Sequence, residues 1–463
     1  MNNFLNALCS AGGEIFEVGG VVRDRLMNLR SKDADYLCRN LTVEQITNTL
    51  KEFGKVSTVG ASFGVIKFVP HTNAGTEIDF ALPRKELSTG KGHRDFDVSF
   101  DPNLAVEIDL GRRDFTINAM ARNISTDEII DPFAGKADLA KRQLRMVFPE
   151  AFIEDPLRML RAVQFSARFD LKIEATTLSA LKQHADLLST VSPERITLEI
   201  AKLLQAKKPS QGFYLMAETG LLAHVSKDLA QLIAVAQDKQ PGDDVFAHTM
   251  RVLDAARSDE MLIDPGEINL LFAALLHDIG KPKTARYHEP SKRVVFFGHQ
   301  NVSARLAKKW MKHIKVETIG VDPKLVVHLV RNHMFETKAY FSERAIRRFI
   351  AKIGKDSILK LLDLRFADNR GGKYPDGVKG VLRLRKRIQE ELAKKPPFGA
   401  KDLAVNGNML IDAGIDAGPL LGKVLQHLVN LVLDDPQNNT QETLLAEVEN
   451  CIKADFKNLN IET

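Results

Sequence analysis

Through the first third of the chain, apolar residues come in short runs. Residues 15–18, 64–69 and 76–82 carry the short or alternating apolar pattern of partly buried strands, with helical stretches and glycines between them. This pattern predicts an α+β head over residues 1–140. From 155 to 222 the period lengthens to that of a helix, with Leu157, Leu160, Val163 and Phe165 followed by Ile196, Ile200, Leu203 and Leu204. A helical neck is therefore expected over 141–236. A polar stretch at 237–244 marks the next boundary, and 245–392 is again helical in period. The Pro396-Pro397 pair opens a last helical unit, so the division is 237–392 and 393–463. The fold class is a mixed-sheet α+β head followed by all-α segments.

With 463 residues and 44% hydrophobic content, the chain is too long for one core. Lys and Arg number 65 against 60 Asp and Glu, and the net charge of +5 does not by itself announce nucleic acid. Local clusters carry more information. Lys308-Lys309, Arg347-Arg348 and the run Arg383, Arg385, Lys386, Arg387 are the candidate basic patches, against a plain solvated helix face for each. Cys9, Cys38 and Cys451 have no metal-ligand spacing, which argues against a disulfide framework or zinc knuckle and fits a reducing, cytoplasmic setting. Residues 1–18 lack the basic start and long apolar run of a signal peptide, and no long uninterrupted apolar stretch suggests a membrane span.

The chemistry starts at Gly19-Gly20-Val21-Val22-Arg23-Asp24, which follows a predicted strand and opens a helix. Free backbone N–H groups and the Arg23 cation could receive a triphosphate there. Asp33-Ala34-Asp35 follows, and an Asp-x-Asp pair in a strand points both carboxylates to one face. Such a pair repels itself unless a divalent cation lies between. A third acid is at Asp79, with Glu77 on the same strand face as its competitor. Three acids around two Mg²⁺ ions are what nucleotidyl transfer needs.

The series GGVVRD, DAD, GRRDFTINAMA at 111–121, DPFAGKADL at 131–139 and EDPLRMLRAVQFSARF at 154–169 resembles the successive motifs of bacterial class II CCA-adding tRNA nucleotidyltransferases and their poly(A) polymerase relatives. The resemblance implies a polymerase-beta-like head in which Asp33, Asp35 and Asp79 hold Mg²⁺. It also implies that Gly20, Arg23, Arg112, Arg113, Asp114, Asn118 and Arg161 contact the nucleotide. Asp155 and Arg158, an acceptor and a forked donor expected on one helix face, complement the Watson–Crick edge of cytosine or adenine in place of a template. The bland alternative for that pair is an intrahelical salt bridge. In the family, a flexible loop corresponding to the polar stretch 87–103 helps switch specificity from C to A, and its ordinary length here points to full CCA addition.

A second constellation follows. His248, His277-Asp278 at the end of an apolar helix, His299, His333 and Asp368 offer imidazole and carboxylate ligands, a mixture suited to Mn, Fe, Co, Ni or Zn. The order resembles the HD metal-dependent phosphohydrolases, with Lys281 placed to meet a substrate phosphate. The alternative is a helical domain retained for packing, with His299 and His333 in ordinary helix-surface roles. His288, His313 and His328 fall outside the pattern. The resemblance implies phosphatase or 2′,3′-cyclic phosphodiesterase activity, which would restore a free 3′-hydroxyl to a damaged tRNA end.

Residues 405–439 are similar to the tail of the same enzymes, which implies contact with the tRNA elbow besides the acceptor stem; Gly407, Gly414, Gly418 and Gly422 are expected to break its helices, and Leu420, Leu421, Val424 and Leu425 to fill its core. The expected partners are tRNA, CTP and ATP. Within the same fold, a poly(A) polymerase or a partial CC- or A-adding enzyme is the rival reading. From other classes come an RNA-binding protein with an inactive head and a stand-alone phosphohydrolase.

Overall fold

The computed structural model describes residues 2–30, 34–59, 65–72, 77–88, 96–237, 243–337, 340–372 and 378–456. Asp33 lies outside these. The chain divides into two compact units, Met1–Lys227 and Asp228–Thr463.

The first unit begins with α1 (Asn3–Ser10), β1 (Glu14–Val18), α2 (Gly20–Leu26), β2 (Ala34–Arg39), α3 (Val43–Lys51), β3 (Gly54–Val59), β4 (Val65–Pro70) and β5 (Ile78–Ala81). After β6 (Arg84–Ser88), β7 (Phe96–Phe100) and α4 (Val106–Gly111) come β8 (Ala121–Asn123) and β9 (Ile129–Ile130). Seven of these strands form one sheet in the order β3-β4-β5-β2-β1-β8-β9. Its pairs are antiparallel except β2 with β5, whose parallel register follows from the α3-β3-β4 excursion between them. Alternation decides the faces. Ile66, Phe68, Ile78 and Phe80 bury against Phe4 and Leu8 of α1 and Ile46 and Leu50 of α3. On another core, Phe16, Val18 and Leu37 meet Val106 and Leu110 of α4. Thr42 and Gln45 close a reciprocal capping box that fixes the start of α3.

The sequence reading takes 87–103 as a loop. Instead β6 and β7 pair as an antiparallel hairpin from Arg84↔Phe100 to Ser88↔Phe96. The Phe96-Asp97-Val98-Ser99-Phe100 alternation is a strand pattern that the surrounding Gly, Lys and Asp obscured. Residues 89–95 lie outside the described part.

The helical remainder of this unit comprises α5 (Gly135–Ala140), α6 (Ala151–Glu154), α7 (Leu157–Phe169), α8 (Ala175–Gln183), α9 (Pro193–Leu204), α10 (Ser210–Thr219) and α11 (Leu221–Val225), with β10 (Gln143–Leu144) and β11 (Lys172–Ile173) pairing in parallel. The apolar positions named for the neck are all buried, and α7 packs against α9 and α10 through them.

The second unit opens with α12 (Lys227–Ala230) at the division, then α13 (Val245–Ala255), α14 (Ile268–Leu276) and α15 (Lys281–Thr284). The run Leu270 to Leu276 is completely buried, because α14 sits among α13, α16 (His299–Ile314), α17 (Pro323–Asn332) and α19 (Ile358–Arg370). A helix buried on every side is apolar on every side. Between α15 and α16 the helical expectation gives way to a hairpin, β12 (Arg286–His288) with β13 (Arg293–Val295). The unit continues with α18 (Glu343–Ile353) and α20 (Lys379–Ala393) and ends with α21 (Gly407–Asp412), α22 (Pro419–Asp434) and α23 (Gln441–Lys453). Val424 is fully buried, with Leu420, Leu421 and Leu425 packed against its cluster. Gly422, expected to break a helix, lies inside α22.

Arg347 does not belong to a basic patch. It is buried and donates to the Leu433 and Asp434 carbonyls and to Glu391, so its charge is spent on the end of α22. Arg348 is paired with Asp434. No helix among the described residues is long and apolar enough to cross a membrane.

Candidate functional site

The register of β2 against β5 sets Asp35 directly beside Asp79. In-register neighbours on adjacent strands point to one face, so the two carboxylates share a side of the sheet. Asp35 is exposed, and Asp79 keeps 42% of its side chain in solvent with Lys67 Nζ 4.0 Å from Oδ1. Glu77 is not on that strand. It precedes β5 and pairs with Lys67, whereas Asp79 is the acid in register with Asp35. Asp33 lies outside the described residues, so the third acid has no geometry here. An adjacent, solvent-facing pair of carboxylates is a donor set that fits a hard divalent cation.

Asp35 opens onto a cleft of about 670 Å³. Gly20, Arg23, Arg112, Arg113, Asp114, Asn118, Asp155, Arg158 and Arg161 also line it, whereas Asp79 flanks it through the strand register. Gly19 needs its freedom: its φ is +72°, and a Cβ there would meet Arg113 at 2.7 Å. Its own N–H is donated to the Met120 carbonyl, so this amide is not available to a phosphate as the sequence suggests.

The cationic wall is held in place by buried acids. Arg112 donates to Asp109 at 2.8 and 2.9 Å and Arg113 to the other Asp109 oxygen at 3.2 Å. Burial alone would raise the Asp109 carboxyl, but the Arg113 and Arg112 charges outweigh it and hold it below the usual range. Asp114 works the same way: burial is overcome by Arg161, whose Nε donates at 2.6 Å, and by the Asn118 amide at 3.0 Å. Asn118 in turn accepts from Arg23 at 2.7 Å, and Arg23 lies over the Phe169 ring at 4.4 Å. Sequence proximity did not disclose that Arg168, Arg195 and Lys202 line the cleft too.

Asp155 and Arg158 do not share a helix face. Asp155 has an extended backbone in the break between α6 and α7, where its Oδ1 accepts from the Leu157 amide. Pro156 explains the break, because the residue before a proline disfavours the helical region. Asp155 pairs with Arg195 at 2.8 Å, while Arg158 donates to the Arg112 carbonyl at 2.9 Å and to the Ala151 carbonyl at 3.2 Å. The intrahelical salt bridge is thus absent from this pair, and both side chains face the cleft from fixed anchors.

In the second unit, His248, His277, Asp278, His299, His333 and Asp368 come together, each no more than 7% exposed. Nδ1 of His248, His277, His299 and His333 lies 2.7 to 3.1 Å from the carbonyls of Gly371, Ala274, Phe296 and Val330. A carbonyl can only accept, so each Nδ1 carries a proton and each Nε2 is the ring nitrogen left to face the centre. Those Nε2 atoms converge on carboxylates. His277 Nε2 is 3.1 Å from Asp278 Oδ2, His299 Nε2 is 3.2 Å from Asp278 Oδ1, and His248 Nε2 is 3.1 Å from Asp368 Oδ1. Burial, with His277 beside it, lowers the His333 imidazole to about 3, so it is neutral. Buried His277 Nε2 and Asp278 Oδ2 each lack a hydrogen-bond partner among the described residues. Imidazole nitrogens and carboxylates gathered in a buried cluster are a donor set that fits divalent cations between them. The helix-surface alternative for His299 and His333 does not hold. Lys281 is buried, 2.6 Å from Asp278 and 3.1 Å from the Gln237 amide oxygen, which makes it part of the cluster. His288 is bonded to Ser291 and His328 to the Ile353 carbonyl, away from the centre.

Residues 15–145 match the poly A polymerase head domain, 170–233 the probable RNA- and SrmB-binding site of polymerase A, and 245–370 the HD domain. The chain is 33% identical to the multifunctional CCA protein of Paraburkholderia phymatum over 77% of its own length and 84% of that protein's. It is 30% identical to that of Burkholderia mallei over 89% and 94%. The crystal structure of the Bacillus stearothermophilus CCA-adding enzyme in complex with CTP shares its fold, with a TM-score of 0.71 at 24% identity over 98% of this chain and 97% of that one. A Thermotoga maritima CCA-adding enzyme complexed with tRNA aligns at a TM-score of 0.55 over 97% and 94%. Head and HD domains together imply the use of divalent metal. With identity at this level across most of its length, the chain belongs to the multifunctional CCA protein family.

Proposed function

We propose that this chain adds C, C and A to the 3′ end of tRNA without a nucleic-acid template. The observation that carries the reading is the cleft in which Asp35, beside Asp79, faces an arginine wall and the Asp155 and Arg158 side chains. Asp33, Asp35 and Asp79 would hold Mg²⁺, which when bound supplies activation of the RNA 3′-hydroxyl and neutralisation of the leaving pyrophosphate. Arg23, Arg112 and Arg113 would take the triphosphate, Asp114 and Asn118 the ribose, with Arg161 clamped to Asp114. Gly20 lets the chain pass close to the nucleotide. Asp155 and Arg158 would read the Watson–Crick edge of C or A; their separate anchors on Arg195 and on main-chain carbonyls support this role, because neither neutralises the other.

The second unit would act as a metal-dependent phosphohydrolase on the same RNA end. His248, His277, Asp278, His299, His333 and Asp368 would hold Mn, Ni, Co, Fe or Zn, which when bound supplies an activated water for attack on a phosphoester. The functional division would follow the sequence: head 1–140, base-reading neck 141–236, phosphohydrolase 237–392 and tRNA-elbow tail 393–463. A cytoplasmic location accords with these partners.

The test is incubation with Mg²⁺ and tRNA transcripts ending before CCA, after C and after CC, with CTP, ATP, UTP and GTP supplied singly and together. Stepwise addition that stops at CCA is expected. An open-ended A ladder, or action on one transcript alone, would replace the reading with a poly(A) or partial enzyme.

A further inference from the structure

We propose that the β12–β13 hairpin and the residues joining it to α16 form a base-stacking platform that seats a single-stranded RNA 3′ end at the His/Asp centre. The inference rests on the phosphohydrolase reading of that centre and adds what it recognises. Two aromatic rings stand in solvent here: Tyr287 is 59% exposed and Phe297 74%. Scattered apolar residues on a surface need no explanation, but these two share one small element with a third ring. His288, paired in β12 and bonded to Ser291, meets Phe297 edge to face with centroids 6.1 Å apart, which holds the phenyl ring upright.

The charge around the rings selects the partner. Arg286, Lys292 and Arg293 are exposed on the same hairpin, none ion-paired among the described residues, and Glu289 is the one acid between 286 and 297. Flat apolar faces among free cations suit a polyanion that carries its own flat faces, which a strand end with unstacked bases does. An anionic lipid surface also meets rings and cations, and the hairpin's continuity with the His/Asp cluster is what favours a strand end carrying a terminal phosphoester.

The hairpin is continuous with the metal-ligand cluster. The Phe296 carbonyl accepts the Nδ1 proton of His299 at 2.8 Å, and Lys281 Nζ, itself 2.6 Å from Asp278, lies 5.2 Å from the Phe296 ring centroid. The exposed ring of Phe297 thus directly follows the residue that orients a metal ligand. A base stacked there would have its terminal phosphate within a short reach of the centre, and the platform would favour RNA ends over small phosphoesters.

The experiment uses the full chain loaded with Mn²⁺ or Ni²⁺ and two substrates, a short single-stranded RNA ending in a 2′,3′-cyclic phosphate and bis(p-nitrophenyl) phosphate. Tyr287→Ala and Phe297→Ala should each raise KM for the RNA roughly tenfold, the size expected for one lost base-aromatic stack. Hydrolysis of the small ester should stay within about twofold, and Phe297→Trp should restore the RNA KM. An unchanged RNA KM, or equal loss on both substrates, overturns the platform. If the unaltered protein hydrolyses neither substrate, the phosphohydrolase reading fails on its own. The platform is then judged by photo-crosslinking of the same RNA carrying a 3′-terminal 4-thiouridine: adducts mapped to Tyr287 or Phe297 support it, and their absence refutes it.

Discussion

Asp35 is exposed and Asp79 keeps 42% of its side chain in solvent, whereas Asp278 and Asp368 keep 2% and 6%. Water screens the first pair, so the two carboxylates can stand side by side at the surface, with Lys67 4.0 Å from Asp79. The second pair has no such screening and is surrounded instead by four histidines, Lys281 and Arg365, all in place within the fold. The difference teaches how each site meets its metal. An open carboxylate pair suits cations that come and go with a triphosphate; a buried His/Asp cluster suits resident ones.

The sharpest way to break this comparison is Asp79→Ala. Losing the carboxylate proposed to hold metal should reduce nucleotide addition on the order of a thousandfold, since several kcal/mol of charge stabilisation go with it, while phosphoesterase activity persists. Loss of both would mean that Asp79 serves the fold. The reciprocal change, Asp278→Asn, should remove hydrolysis and bound metal, measured by elemental analysis, and leave CCA addition intact. Chelation sharpens the contrast without mutation. After EDTA, nucleotide addition should return at once with Mg²⁺, whereas Mn²⁺ or Ni²⁺ should raise the melting temperature by about 5 °C through the second unit, as a ligand well above its Kd does. A melting curve indifferent to these metals would disprove a resident ion.

Two further effects are smaller. Arg158→Ala should reduce discrimination against UTP and GTP by roughly tenfold to a hundredfold, the weight of a charge-assisted hydrogen bond at a base edge; unchanged selectivity moves base reading elsewhere. Asp109→Asn tests the cationic wall through acid stability. The Asp109 carboxyl is held below its unfolded value by Arg113 and Arg112, so its contribution is complete above that unfolded value of about 4 and lost as pH falls toward the folded one. The variant should show a shallower fall of melting temperature on acidification than the unaltered protein. Parallel curves would mean the pairing contributes nothing.

Much of this was legible in the sequence because it is local. The alternation in β4 and β5, the all-apolar α14 and the His277-Asp278 pair each declare themselves within a few residues. What escaped depends on partners far away or on backbone breaks. Glu77 and Asp79 have the same spacing on paper, and only where β5 begins separates them. Asp155 looked helical by count, but Pro156 set it in a break, and Arg195 then claimed it. The β6–β7 and β12–β13 hairpins hid behind the charged residues and turn formers in their sequence. Arg347 read as surface charge because nothing in its own helix shows that the last carbonyls of α22 await it.

The parallel pairing of β2 with β5 has a consequence for how the head matures. Antiparallel neighbours such as β3 and β4 can zip as soon as both have formed, but Asp35 meets Asp79 only after α3, β3 and β4 have been made and folded back. During synthesis the emerging chain therefore carries an isolated Asp35 for as long as that excursion takes, and the acidic pair arises late. A polymerising site whose acids meet only across that excursion cannot act on nucleotides before those strands are in place.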